Sequence, residues 1–142
     1  DYYDRLGFLN VYTDESRKIE NVKEEKQLRR RQLFQKLEEN LAKGTNIIIS
    51  PEGTSYPTDQ SPGKFKPGIF RMAREMKTEP LIVPIVVANF DQRISDNTFL
   101  CEIREPFKIS EELQREPDGD LKNYLANYQK VYKGYVQELI TN

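Results

Sequence analysis

The residues best placed to do chemistry form a short turn, Pro51-Glu52-Gly53-Thr54, which follows an apolar run at residues 46–50. Proline ends a strand because it has no N–H to donate to the ladder, and glycine lets backbone amides approach a ligand without a Cβ in the way. The Glu52 carboxylate and the Thr54 hydroxyl could then orient a polyol or a phosphate ester. A plain strand-to-loop turn, with Glu52 in solvent, explains the same four residues equally well.

Three segments have the apolar spacing of helices. Residues 21–43 carry apolar side chains three and four positions apart, and Gly44 marks the stop of that helix. Residues 69–77 predict a short helix, and residues 121–139 predict a long one with four tyrosines among its apolar positions. We interpret this tyrosine stripe as core packing, although such residues also occur at membrane interfaces.

Four further segments have the composition of strands: residues 6–12, 46–50, 81–88 and 98–104. Cys101, inside the last of them, is interpreted as a small core residue. Together with the helices, these strands predict an α/β fold with a mostly parallel β-sheet flanked by helices, in a single domain over residues 1–142. Ligands of such sheets bind beyond the carboxyl ends of the strands, where the turn stands.

Composition narrows the classes of function. The 22 basic and 23 acidic residues leave a net charge of -1, which argues against bulk electrostatic binding to nucleic acid. The basic run at residues 29–31 could contact anionic lipid headgroups, but its acidic neighbours favour a solvated helix face. No apolar stretch reaches the roughly 18 residues of a membrane span. With no histidine, and no cysteine or carboxylate cluster at ligand spacing, the sequence predicts no metal site.

The turn and the segments behind it resemble the glycerolipid acyltransferases, that is, glycerol-3-phosphate and 1-acylglycerol-3-phosphate acyltransferases. Four ordered sequence blocks identify this family, which moves a fatty acyl group from a thioester to a glycerol-type hydroxyl. The third block, Phe-Pro-Glu-Gly-Thr-Arg-Ser, is matched by residues 50–56, and the lysine and glycine behind it by residues 64–73. The fourth, an apolar strand with a central proline, is matched by residues 81–87, and the second by residues 7–13.

The resemblance implies that the chain is the acceptor-binding portion of a phospholipid or glycerol acyltransferase. The acceptor would be a lipid or a glycerol-phosphate-type alcohol. The acyl donor would be acyl-CoA or acyl carrier protein, and no cofactor would be bound. Glu52 would orient the acceptor hydroxyls, Gly53 would allow close backbone approach, and Thr54 would donate a hydrogen bond. The implied substrate-binding residues are Glu52, Gly53, Thr54, Ser55, Lys66 and Thr13.

Two of these positions depart from the family pattern. Thr13 and Ser55 stand where the family has arginines that are taken to grip the phosphate of the acceptor. Either the acceptor has no glycerol-3-phosphate head, or cations elsewhere replace the arginines. Lys66 is the first substitute and Lys64 the second, although both are also ordinary solvated loop lysines in composition.

The family's first block, a His-x4-Asp pair that supplies the general base, has no counterpart because the sequence contains no histidine. We expect that pair upstream of Asp1, so that this chain is the carboxyl-terminal portion of an incomplete acyltransferase domain and is inactive alone. The alternative is a non-catalytic lipid-binding or scaffold module of the same fold. A hydrolase-like domain ranks last, since the chain also lacks a Gly-x-Ser-x-Gly elbow. Because the acyl product is a lipid, the resemblance implies a cytoplasmic protein, peripheral at the membrane surface.

Overall fold

The computed structural model describes residues 22–89 and 100–141 of the chain. The strand predicted at residues 6–12 therefore lies outside the described residues. The chain divides into two compact units with the boundary between Ile47 and Ile48, and each unit is described by itself. The single domain over the whole chain stays a prediction.

The first unit contains helix α1, Val22–Ala42, which confirms the first predicted helix to within one residue at each end. The N–H of Gly44 donates to the carbonyl oxygen of Leu41 at 2.9 Å, and the N–H of Thr45 donates to that of Asn40 at 3.0 Å. This pair of bonds is the Schellman motif, in which the residue after the helix takes a left-handed conformation. Gly44 has a φ of +78°, so the predicted stop is confirmed.

The second unit contains a pair of antiparallel strands, β1 at Ile85–Ala88 and β2 at Leu100–Ile103. An isolated bridge between Ile82 and Phe107 continues the pairing beyond the strands. Two residues separate Ile82 from β1, whereas three separate β2 from Phe107, which makes a bulge. Pro84 lies at this interruption and has no N–H to offer the ladder.

The helices of the second unit, within the described ranges, are α2 at Pro67–Glu75, α3 at Ile109–Arg115 and α4 at Leu121–Thr141. A short 3-10 helix covers Thr58–Gln60. The predicted short helix begins two residues earlier than expected because proline suits the first helical position. Helix α4 packs against both strands and against α2 and α3, so it is the central element of the unit.

Buried side chains from all three helices form one core cluster, which Phe65 joins from the loop before α2. Neighbouring tyrosine rings along α4 contact one another: Tyr124 and Tyr128 stack with centroids 5.7 Å apart, and Tyr132 follows edge-on at 6.3 Å. The interpretation of the tyrosine stripe as core packing is confirmed for Tyr124, Tyr128 and Tyr132, whereas Tyr135 is not part of the cluster. The cluster consists of Phe65, Phe70, Ala73, Ile109, Leu113, Leu121, Tyr124 and Leu125.

The predicted fold class, α/β with a mostly parallel sheet, is wrong. The described sheet has two antiparallel strands, and more than half of the described residues are helical, so the architecture is mainly helical. Residues 46–50 form no strand, and Ile48 is 89% exposed. A continuous apolar run is typical of a strand that is buried on both faces, but the described residues cover this sheet on one face only. Val86 is fully buried in β1, whereas Ile103 in β2 is 69% exposed.

Candidate functional site

The Pro-Glu-Gly-Thr segment begins with a β-turn. The N–H of Gly53 donates to the carbonyl oxygen of Ser50 at 3.2 Å, with Pro51 and Glu52 as the two central residues. Proline at the first central position fixes the φ angle that such a turn requires. Gly53 itself has a φ of +71°. An L side chain in this region costs about 1–2 kcal/mol, so the turn requires glycine here.

The Glu52 carboxylate is used inside the loop that follows the turn. Its Oε2 accepts a hydrogen bond from the N–H of Gly63 at 2.6 Å, and both residues are half-buried. Hydrogen bonds to an ionised group are stronger than neutral ones, so this bond closes the loop firmly. The alternative in which Glu52 only faces solvent does not fit this geometry. Its second oxygen, Oε1, has no hydrogen-bond partner in the part of the chain that the structure describes.

The ring of Tyr56 packs directly on the backbone of Gly63. An ideal Cβ at Gly63 would lie 2.1 Å from Cε2 and 2.4 Å from Cζ of that ring. These separations are far below carbon–carbon contact distance, so the site has no room for a side chain. The same glycine therefore supports the Tyr56 ring and donates to Glu52.

The end of the loop comes back to the turn at Lys66. Its N–H donates to the carbonyl oxygen of Pro51 at 2.8 Å, and its side chain extends over Gly53. An ideal Cβ at Gly53 would lie 2.7 Å from Nζ and 3.1 Å from Cδ and Cε of Lys66. A positive charge therefore stands beside the open backbone of the turn glycine.

The structure brings half of the predicted binding residues together: the turn glycine, its neighbouring glutamate and Lys66. Thr54 and Ser55 follow directly in the chain and are exposed, as is Lys64. Thr13 lies outside the described residues. The binding roles of all six residues stay predictions, since no ligand contact tests them.

Helix α4 anchors this loop through contacts that the sequence did not predict, although the tyrosines among them were expected in the core. The side-chain Nε2 of Gln129 donates to the carbonyl oxygen of Pro62 at 3.2 Å. The ring of Phe65 lies 5.8 Å from that of Tyr128 and 5.6 Å from that of Tyr132, centroid to centroid. One signal was available: a buried-type aromatic between two lysines indicates that the loop turns one side chain into a core.

Tyr132 packs against the core, and its hydroxyl is influenced by the charge of the turn glutamate, Glu52. Its hydroxyl donates to the carbonyl oxygen of Ile85 at 2.6 Å. Burial raises the pKa of Tyr132 to about 12, and the negative charges of Glu52 and then Cys101 add to the increase. The hydroxyl therefore stays protonated at neutral pH and remains a hydrogen-bond donor.

Other candidates contribute less. Cys101 is exposed, so its interpretation as a core residue is wrong, because it lies on the uncovered face of the sheet. In α1, Arg29 forms an ion pair with Glu25 one turn earlier, and the two following arginines are exposed. Within residues 22–89 and 100–141, no group of three or more His, Cys, Asp or Glu residues is arranged to hold a metal ion. Among the helices described, none combines the length and the apolar character needed to cross a membrane.

The acyltransferase family model matches residues 3–88, well over half of the chain. The match includes the turn, the loop up to Lys66 and all of β1. The chain belongs to the acyltransferase family. Its membership confirms the family resemblance drawn from the motifs and indicates an acyltransferase-type function. Helices α3 and α4 lie beyond the matched part of this acyltransferase domain. No curated protein and no solved structure matches the chain.

Proposed function

We infer that this chain binds the acceptor in an acyl transfer from a thioester to a glycerol-type hydroxyl, as part of a phospholipid or glycerol acyltransferase. The donor is acyl-CoA or acyl carrier protein. One observation carries the proposal: Lys66 Nζ stands beside the bare backbone of Gly53, inside the span that the family model matches. A fixed positive charge next to accessible backbone suits a phosphate ester.

Each polar group of the loop has a role in this proposal. Lys66 pairs with the phosphate of the acceptor, because Ser55 stands where the resembling family has an arginine. The exposed hydroxyls of Thr54 and Ser55 contact the oxygens of the acceptor. Glu52 holds the loop with Oε2 and offers Oε1 to an acceptor hydroxyl. Gly53 keeps the approach open, since any Cβ there would meet the lysine side chain.

The general base comes from outside these 142 residues. The sequence contains no histidine, and the turn offers only hydroxyls, one carboxylate and an ammonium group. A base must lie within hydrogen-bond reach of the hydroxyl that it deprotonates and typically contributes about 10²–10⁴-fold in rate. We therefore expect the isolated chain to bind an acceptor without acylating it.

Acceptor binding can be tested directly on the 142-residue chain with glycerol 3-phosphate. Backbone NMR shifts are expected at Gly53, Thr54 and Lys66. Lys66→Ala should abolish them, because it removes the charge beside the glycine. Lys64→Ala is the matched control, since that lysine is exposed in the same loop. Equal weakening by the two variants, or shifts confined to other regions, would contradict the assignment.

A non-catalytic lipid-binding or scaffold module is the second candidate, favoured by the absence of histidine from the sequence. Transfer of an acyl group from acyl-CoA to 1-acylglycerol-3-phosphate distinguishes the two. In a protein that joins this chain to a His-x4-Asp segment, transfer that falls with Lys66→Ala supports the enzyme. Acceptor binding without transfer in that same protein supports the scaffold.

We also propose that the chain acts at the cytoplasmic surface of a membrane as a peripheral protein. Ile48 and Ile49, which directly precede the β-turn, are 89% and 47% exposed. Apolar side chains so close to the acceptor turn suit a lipid whose headgroup lies over Lys66. Co-sedimentation with phosphatidate-containing vesicles should fall with Ile48→Ser and persist with Ile103→Ser, an exposed isoleucine of the sheet. Loss of sedimentation in both variants would indicate nonspecific apolar contact instead.

A further inference from the structure

A second potential binding region lies away from the turn. A cleft of about 530 Å³ opens between α3, α4 and the segment that joins β2 to α3. A cleft of roughly this volume is typical of sites that hold small molecules. Of its lining residues, Pro84 alone falls within the span matched by the family model. The acyltransferase assignment therefore does not account for this cleft.

One side of the cleft is a strip of aromatic and apolar side chains along α4. Tyr124, Tyr128, Val131 and Tyr135 line it, and their spacing of four, three and four residues places them on one helical face. Eleven residues of helix rise by about 16 Å, so the strip suits an elongated ligand. Val131 is 48% exposed there and can cover methylene groups. Phe107 meets Tyr128 edge-on, with ring centroids 5.4 Å apart.

The cleft also concentrates hydrogen-bond acceptors. In the described chain, the hydroxyls of Tyr124 and Tyr128 make no hydrogen bond to protein. Burial raises the pKa of both phenols, and the charge of Glu112 adds to the increase in each. Glu116 acts in addition on Tyr124. Carboxylates and protonated phenols therefore share one region of the cleft.

The charges that line the cleft favour a cation. Four carboxylates, from Glu105, Glu111, Glu112 and Glu116, and two guanidinium groups, from Arg104 and Arg115, line it. Lys108 pairs with Glu111 at 3.8 Å, so the excess negative charge comes from Glu105 and Glu116.

Both guanidinium groups are already occupied. Arg115 pairs with Glu112. Arg104 donates from Nη2 to Glu102 and Glu138, at 2.9 Å each. Glu116 takes part in no ion pair with the residues that the structure places. It is half-buried, so its charge is only partly compensated by water.

One cationic side chain of the protein already packs on an aromatic ring that lines this cleft. The guanidinium carbon of Arg104 lies 4.3 Å from the centroid of Tyr135, within the range of a cation–π contact. Its Nε is buried without a partner and is therefore out of reach for a ligand. Tyr124 and Tyr128 stack on each other, and Phe107 meets both rings edge-on. These three rings therefore do not form an open aromatic cage, and a further cation is bound through its N–H groups.

We propose that this cleft binds a protonated alkylamine. The ammonium group donates hydrogen bonds to the Glu116 carboxylate and to the hydroxyls of Tyr124 and Tyr128, and the methylene chain lies along Val131. A polyamine and a lysine side chain share this chemistry. Anions are excluded by the carboxylates, and a quaternary ammonium ion cannot supply the hydrogen bonds.

Calorimetric titration of the 142-residue chain with spermidine and with Nα-acetyl-lysine amide tests the proposal. Binding in the range of about 10 µM to 1 mM is expected for at least one of them. Tighter binding of spermidine identifies a free polyamine, and tighter binding of the lysine derivative identifies a basic peptide. Glu116→Gln should weaken binding about fivefold, less than the full value of a charged hydrogen bond because the site is half open.

Control variants distinguish binding in this cleft from nonspecific electrostatic attraction to surface carboxylates. Glu75→Gln removes an exposed carboxylate outside the cleft and should leave the affinity unchanged. Tyr124→Phe keeps the ring and removes one acceptor, so it should weaken binding while circular dichroism confirms an intact fold. Equal effects of Glu116→Gln and Glu75→Gln, equally tight binding of tetramethylammonium, or no heat with either amine would overturn the proposal. NMR shifts away from Tyr128 and Val131 would do the same.

Discussion

Replacing Gly63 by alanine should destabilise the loop that carries the candidate acceptor site. The new Cβ would lie 2.1, 2.4 and 2.7 Å from three atoms of the Tyr56 ring. Gly63 does not have a positive φ, so alanine avoids the cost of a left-handed backbone at this position. Any loss of stability therefore reports the contact with the ring and its consequences.

The size of the effect follows from two contributions. An ordinary carbon contact needs about 3.5 Å, so the Tyr56 ring must retreat by about 1.4 Å from the present 2.1 Å. Overpacking of this kind costs about 1–3 kcal/mol. If Gly63 moves instead, its N–H leaves Glu52 Oε2, and a charge-assisted hydrogen bond contributes about 1.5–3 kcal/mol when buried. Because both residues are only half-buried, we expect a loss of about 2 kcal/mol, not the sum.

Urea unfolding measured by circular dichroism checks this value, and two further variants make it specific. Gly68→Ala is the matched control, since an ideal Cβ there meets nothing within 4 Å. It lies in the first turn of α2 and should be neutral or stabilising by up to about 1 kcal/mol. In a Tyr56→Ala background, Gly63→Ala should cost little, which gives a coupling energy of about 1–2 kcal/mol.

Two results would refute the reasoning. One is a Gly63→Ala variant whose free energy of unfolding stays within about 0.5 kcal/mol of the parent, the ordinary range for a surface substitution. The other is an equal loss with and without the Tyr56 ring, since the clash would then not be its cause.

Three further predictions concern the second unit. Glu79→Ala should lower the free energy of unfolding by about 1–2 kcal/mol, because the carboxylate accepts from the N–H of Ser110 at 2.8 Å and so caps α3; an unchanged urea midpoint would contradict this. Stability should fall as pH rises from about 10 to 12. The reason is that the folded state keeps Tyr132 protonated, with its pKa raised to about 12, whereas the unfolded phenol ionises near 10.0. Tyr132→Phe should reduce this pH dependence of the free energy of unfolding, and an identical pH profile would count against the prediction. Arg104→Lys should cost about 1 kcal/mol in thermal unfolding, because an ammonium group cannot both stack on Tyr135 and bridge two carboxylates; equal stability would show that the bridge contributes nothing.

The helices could be predicted where local chemistry determines them. Gly44 stops α1 through a motif that needs only neighbouring residues, and the apolar spacing of α4 indicates its buried face. Helix α3 was missed because its seven residues are too short to show a clear period. Its N-terminus also depends on Glu79, which lies thirty positions before the first residue of the helix.

The sheet could not be predicted because strand direction depends on distant partners. The apolar runs at residues 46–50 and 81–88 look alike in sequence, but only the second finds a partner among the described strands. An apolar run records a preference for burial, and it carries no information about which segment will cover it. For this reason the parallel sheet was expected and an antiparallel pair with one open face was found.

The candidate site shows the same division between local and distant contacts. The need for glycine at position 53 follows from the turn and was predicted from its residue type. Lys66 was predicted as a replacement for the missing arginines, but its approach to that glycine was not predicted. The bond between Glu52 and Gly63 had no signal in the sequence, because the two residues are eleven positions apart along the chain. Thr13, which stands where the family has an arginine, lies outside the described residues.

The loop behind the Pro-Glu-Gly-Thr turn is held in place by a helix that lies outside the family match. The turn lies inside the span matched by the family model, but the contacts that hold its loop, from Gln129 to Pro62 and from Tyr132 to Phe65, come from α4 beyond that span. A site that must present its groups within a fraction of an ångström depends on such supports. Substitutions in α4 should therefore change acceptor binding at the turn, although they do not alter the turn residues themselves. The loss of binding should follow the displacement of the Phe65 ring rather than the loss of overall stability.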